Sequence, residues 1–173
     1  MSDEGKLLPE IARDAVECRL LDRVIKPIEP EGILSQRAGV FVTIRTRAGR
    51  LRGCRGTIQP QFANVIQETR NLALSSAFQD PRFEPIRADE LVELSYEVSV
   101  LHEPEPAESL ADFDASRFGI IVTTPTGKRA LMLPNVEGLE TVEKQYSATC
   151  QKGGIDPAEE VRLDRFQVDK FGA

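Results

Sequence analysis

The chain predicts an α+β fold with mostly antiparallel pairing. Three observations carry this. Helical and strand-like segments run helix, strands, helix, strands, helix, strand, without the regular alternation of a parallel sheet. The segment from Gly39 to Ile58 reads as strand, turn and strand, a hairpin. Leu94 to Leu101 (LSYEVSVL) alternates apolar and polar residues, as a strand with one buried face does.

Leu7 to Arg23 reads as the first helix, with Leu8, Ile11, Ala12, Ala15 and Val16 at helical spacing. Lys26-Pro27-Ile28-Glu29-Pro30-Glu31-Gly32 breaks that pattern and is a loop. Gly39 to Thr46 (GVFVTIRT) is β-branched and aromatic, hence a well-buried strand. Arg47-Ala48-Gly49-Arg50 supplies the turn, and Leu51 to Ile58 returns. If that second strand is regular, Arg52 and Cys54 share a face; a bulge at its glycines would re-aim one of them.

Phe62 to Phe78 is the second helix, with Val65, Ile66, Thr69, Leu72, Ala73 and Ser76 on one face. Its small residues Ala73, Ser75, Ser76 and Ala77 admit another backbone at close range. Asp80-Pro81-Arg82-Phe83-Glu84-Pro85 ends it as a rigid loop, and Ala88 to Val92 is one further helical turn. In the next strand Leu94, Tyr96, Val98 and Val100 form the apolar face, opposite Ser95, Glu97 and Ser99. Phe118–Thr123 and Arg129–Leu133 form a hairpin around Pro125-Thr126-Gly127-Lys128. Thr141 to Lys152 is a helix stopped by Gly153, Asp156-Pro157-Ala158-Glu159 has helix-start chemistry, and Val161 to Phe171 is a strand or extended tail.

The 173 residues fit one domain, residues 1–173, with room for two lobes. A net charge of −6, from 22 basic and 28 acidic side chains, disfavours binding to a phosphate backbone, although Arg45, Arg47, Arg50, Arg52 and Arg55 cluster locally. No apolar run is long enough to span a membrane. The start, Met1-Ser2-Asp3-Glu4, leads into no apolar h-region, so no secretory signal is expected. Cys18, Cys54 and Cys150 are sparse, odd in number and in no CxxC pair, which predicts reduced thiols and a cytoplasmic protein.

His102 is the only histidine, which excludes His-rich metal sites and nearly all Ser-His-Asp or Cys-His arrangements. It reads as a solvated loop residue. No GxxxxGK[ST] loop or GxGxxG fingerprint occurs. No metal site and no cofactor is implied. The informative stretch is Leu51-Arg52-Gly53-Cys54-Arg55-Gly56-Thr57, a thiol between glycines and flanked by arginines. Glycines let backbone N–H groups approach a ligand, and a thiol near positive charge is a candidate nucleophile or redox centre. The other reading is a bulged strand in which Cys54 is packing. Both stay open on the residues alone.

The string GVFVTI–x5–LRGCRGT, then AFQDPRFEPI, ELVELSYEVSVL and ALMLPNVEG, resembles the AMMECR-type domain family, whose bacterial and archaeal members are called AmmeMemoRadiSam system protein A. The resemblance covers nearly the whole chain. It implies two unequal lobes, each a mostly antiparallel sheet with flanking helices, with the smaller lobe inserted in the larger and the LRGC segment facing a cleft between them. It implies Memo-type and radical SAM proteins as partners, and leaves the reaction undefined. Carried over by position, Cys54 and Glu97 become candidate catalytic residues; Arg52, Gly53, Arg55, Gly56, Asp80, Arg82 and Phe83 become candidate binders of a small anionic or peptide ligand. Arg55 departs from the aliphatic residue often found there. The segment after Pro134 is shorter than in many members and lacks their Trp-containing stretch, and Cys150 reads as core packing. Arg52 is a surface arginine or the group that charges the thiol site; Asp80 and Arg82 pair with each other or with site groups; Glu97 is a general base, or the counter-charge to Arg52. An enzyme component and a non-catalytic interaction partner both remain open, with nucleic-acid association as a third reading.

Overall fold

In the computed structural model, which describes residues 4–172, Leu8, Ile11, Ala12, Ala15 and Val16 line the buried side of helix α1 (Leu8–Leu21). Pro9 sits in its first turn, where a missing N–H is harmless. Met1-Ser2-Asp3, part of the acidic start discussed above, lies outside the described residues. Strands β1 (Val40–Thr46) and β2 (Leu51–Gly56) form the expected hairpin. Helix α2 (Val65–Phe78) begins at Asn64, whose side chain accepts from the Gln67 N–H and so caps the helix. A 3-10 turn over Ala88–Glu93 leads into β3 (Leu94–Leu101). The loop after α1 also contains a 3-10 turn, Gly32–Ser35, with no periodic signal to announce it.

The remaining elements are β4 (Glu105–Ala107), β5 (Gly119–Thr123), β6 (Arg129–Met132), α3 (Val142–Gly153), β7 (Arg162–Phe166) and β8 (Val168–Phe171). Two four-stranded sheets result, in the orders β2-β1-β3-β8 and β4-β7-β5-β6. The α+β class is therefore as the element order predicts, with antiparallel pairs such as β1–β2, β1–β3, β5–β6 and β5–β7.

Several details differ from expectation: α2 begins at Val65 rather than Phe62, and the stretch from Asp156 to Glu159 makes a hydrogen-bonded turn without a helix. Helix α3 runs through Gly153, and Gly154, at φ +59°, takes the left-handed position that ends it. Val161 to Phe171 is two strands rather than one, because β7 joins one sheet and β8 the other.

The chain divides into two compact units. One holds the described residues up to Leu101 and those from Asp169 onward; the other is His102–Val168. Each has its own core. In the first, Val40, Val42, Ile44, Tyr96, Val98 and Val100 on one sheet face pack with α1 and α2 side chains. In the second, Phe113, Ile120, Val122, Ala130, Cys150 and Ile155 pack together, so Cys150 is fully buried.

Candidate functional site

Two properties of β1 prepare the site. Its alternation puts Val42 and Ile44 on the core face, so Phe41, Thr43 and Arg45 lie on the other. Its register places Thr43 opposite Cys54 on β2 and opposite Glu97 on β3. Cys54, Thr43 and Glu97 thus form one row across three strands, on the face away from the helices.

The phase of the ladder fixes the chemistry of that row. Thr57 N–H donates to Val40 O at 3.0 Å, and Leu101 N–H donates to Gly39 O at 2.9 Å. Counting by twos along β1, Thr43 and Cys54 are a pair without mutual backbone bonds, the kind whose side chains approach most closely. Cys54 Sγ accordingly lies 3.3 Å from Thr43 Oγ1. The same phase turns the Cys54 backbone N–H and C=O outward, and β2 is an edge strand. An open edge needs a cover.

The Asp80–Phe83 loop supplies it. Cys54 N–H donates to Asp80 Oδ2 at 2.9 Å, and an Arg82 guanidinium N–H donates to Cys54 O at 3.3 Å. Arg82 also binds Asp80 through Nε to Oδ1 at 3.0 Å and through its terminal nitrogen to Oδ2 at 2.8 Å, a two-pronged charge-assisted pair. Asp80 is buried and also accepts from the Arg82 backbone N–H. Hydrogen bonds from the Arg82 side chain, with those from the Cys54 and Arg82 backbones, hold the Asp80 carboxyl well below the usual carboxylate range. Arg82 is raised in turn, chiefly by its hydrogen bond to Asp80. The Arg82 guanidinium lies over the Phe83 ring, 5.3 Å from its centre.

Arg52 does something else. Ile44 pairs with Gly53 and Arg45 with Leu51, so Arg52 is the extra residue of a bulge in β2. Its side chain binds both carboxylate oxygens of Glu90, at 2.8 and 2.9 Å, and donates to Glu84 O at 3.1 Å. Its partner is Glu90 and not Glu97; Lys170 is the cation near Glu97, at 4.0 Å. The cation beside Cys54 is Arg82.

Gly53 faces α2, where a Cβ would overlap Ser76 O, so the missing side chain permits the helix to sit on the strand. The Ser76 hydroxyl accepts from Arg55 N–H and donates to Val42 O, both at 2.9 Å, tying α2 to the two paired strands. Arg55 pairs with Val42, so alternation sends its exposed side chain to the face opposite Cys54. Gly56 lies in the next row on the Cys54 face, under the Phe41 ring.

The structure therefore brings together Cys54, Asp80 and Arg82 by direct bonds, with Glu97 in the same row beyond Thr43. Arg52 and Arg55 are aimed elsewhere. Thr43 and Glu90 escaped sequence reasoning; Ser76 was read as a small residue admitting a close backbone, as the approach of Gly53 bears out, but not as the hydroxyl that bridges Arg55 N–H and Val42 O. A polar residue between Val42 and Ile44 was a usable sign that Thr43 faces outward; nothing in the spacing pointed to Glu90. Cys18, Cys54 and Cys150 are all free thiols. Among the described residues no three His, Cys, Asp or Glu side chains converge as a metal site, and no helix is long and apolar enough to cross a membrane.

Comparison with known proteins agrees with this architecture. The AMMECR1 family model matches residues 9–171. A protein of Thermotoga maritima is 40% identical over 152 residues, covering 86% of this chain and 87% of the relative. One from Methanothermobacter thermautotrophicus is 37% identical over 182 residues, covering 98% and 94%. The crystal structure of an uncharacterised protein from Pyrococcus horikoshii is 32% identical, with a TM-score of 0.84, covering 98% of this chain and 92% of that one.

Proposed function

The chain belongs to the AMMECR1 family, and from that premise we propose that Cys54 is the working thiol of a site that binds or processes a small anionic or peptide ligand. The observation that carries this reading is the placement of Cys54: the residue is half-buried with its sulfur against the Thr43 hydroxyl, and its backbone is held by Asp80 and by the cationic Arg82. A rigid strand with a fixed positive charge beside a thiol suits the stabilisation of negative charge on sulfur or ligand. Glu97 is the group that takes and returns protons. Gly56, Arg82 and Phe83 are the ligand-facing residues. Arg52, Gly53 and Asp80 hold the strand in shape, and Arg55 offers a separate positive charge on the other face.

In this reading the two units form one domain with His102–Val168 as an insertion, supported by a chain that leaves the first unit after Leu101 and rejoins it at Asp169. The protein works in the cytoplasm with Memo-type and radical SAM proteins, as the family resemblance implies; three free thiols favour a reducing compartment.

The test is alkylation of the native protein, with each cysteine followed by mass spectrometry. Cys54 should react well ahead of Cys18 and Cys150. If Cys54 is no faster than Cys18, it is packing, and the second reading takes over: a non-catalytic partner that docks through the exposed arginines Arg47, Arg50 and Arg55. That reading is tested by pull-down with Memo-type and radical SAM proteins. Nucleic-acid association has the net charge of −6 against it.

A further inference from the structure

We infer that Thr43 is a positioning residue of the thiol site, linking Cys54 to Glu97 as a hydroxyl relay. The inference rests on the reading of Cys54 as a working thiol. Thr43 is buried, and its hydroxyl lies 3.3 Å from Cys54 Sγ, close enough to share a hydrogen bond with it. Thr43 also stands directly opposite Glu97, with their side chains on one sheet face. Residues directly opposite on neighbouring strands have Cβ atoms about 4.5–5.5 Å apart, within reach of a glutamate that turns from Lys170. A threonine hydroxyl both donates and accepts, so it can serve sulfur on one side and carboxylate on the other.

The step balances without another reactant. The Cys54 S–H proton passes to Thr43 Oγ1 while the Thr43 hydroxyl proton passes to a Glu97 carboxylate oxygen. The products are a thiolate that accepts a hydrogen bond from an intact Thr43 hydroxyl, and a protonated Glu97. The other charged groups around the row are Arg82 and Asp80 from the loop, Lys170 from β8 and Arg45 on β1. Arg82 and Asp80 already bind each other and the Cys54 backbone, which leaves Glu97 as the carboxylate available to the relay.

The experiment compares the native protein with Thr43→Val, Thr43→Ser and Glu97→Gln, following iodoacetamide alkylation at each cysteine. Valine is isosteric with threonine and favoured in strands, so the fold survives. Thr43→Val should slow Cys54 about tenfold, roughly the worth of one hydrogen bond. Thr43→Ser should restore the rate, Glu97→Gln should slow it, and Cys18 should be unchanged throughout. Equal Cys54 rates in the native protein and Thr43→Val would overturn the role of Thr43 while leaving the thiol reading intact. A loss in Thr43→Val without one in Glu97→Gln would overturn the relay. A native Cys54 no faster than Cys18 would overturn the thiol reading, and the relay with it.

Discussion

The backbone N–H of Cys54 donates to the carboxylate of Asp80 at 2.9 Å across 26 residues of sequence. That bond, with the return bond from Arg82 to Cys54 O, makes the Asp-Pro-Arg-Phe loop a cover for a strand edge. The thiol is presented by a strand whose outward backbone groups are already satisfied at that residue.

Asp80→Asn should destabilise the protein by roughly 2 kcal/mol at neutral pH, the scale of the charge-assisted bonds it weakens. The pH dependence has a definite sign. A carboxyl whose pKa falls on folding adds stability above its unfolded-state value, about 3.9 for aspartate, and loses it as pH falls through the folded value. The gap between native protein and variant, measured by urea unfolding, should be full above about pH 5 and narrow as acid is added below about pH 4. A gap constant across that range would mean that the charge of Asp80 contributes nothing.

Arg52→Lys keeps the positive charge but cannot grip both oxygens of Glu90 and Glu84 O together. It should lower stability by about 1–2 kcal/mol and leave the alkylation rate of Cys54 unchanged. A slowed Cys54 in a folded Arg52→Lys protein would return Arg52 to the thiol site.

Gly53→Ala places a methyl group on the backbone oxygen of Ser76, which cannot rotate away as a side-chain tip could. Overpacking of this kind costs about 1–3 kcal/mol, here at the upper end because helix and strand must separate. Thermal melting of the variant checks it; an unchanged midpoint would show that α2 shifts freely on the sheet.

Ser76→Ala removes one hydroxyl and leaves two partners, Arg55 N–H and Val42 O, short of a bond. A loss of about 2 kcal/mol is expected from unsatisfied buried groups, against a smaller loss for Ser75→Ala on the same helix, where the serine is only half-buried. Equal effects of the two would mean that the ladder closes over the missing hydroxyl.

In the second unit, Gly154→Ala should cost about 1 kcal/mol, because an alanine at φ +59° has its Cβ crowding the backbone. Gly153→Ala meets Ala130 instead, through packing rather than backbone conformation. Circular dichroism melts of the two variants separate these causes: at Gly154, asparagine should recover part of the loss, since it tolerates the left-handed region.

What the sequence determined by itself is what short-range periodicity encodes. The buried side of α1, the buried side of α2 and the apolar face of β3 follow from spacing of 3.6 or 2, because a residue's neighbours along the chain fix which way it points. The hairpin and the α+β class follow from the same rule, and the outward direction of Thr43 was there to be read. The tertiary structure alone decided the ladder phase that sets Cys54 against Thr43, the bulge that hands Arg52 to Glu90, and the loop that clamps the strand edge. It also decided that the chain's last extended segment divides between two sheets, and that Gly154 rather than Gly153 closes α3. These depend on partners tens of residues apart, and on competition for the same backbone groups. A charged side chain shows in sequence that it wants a partner; only the folded chain settles which one it reaches first.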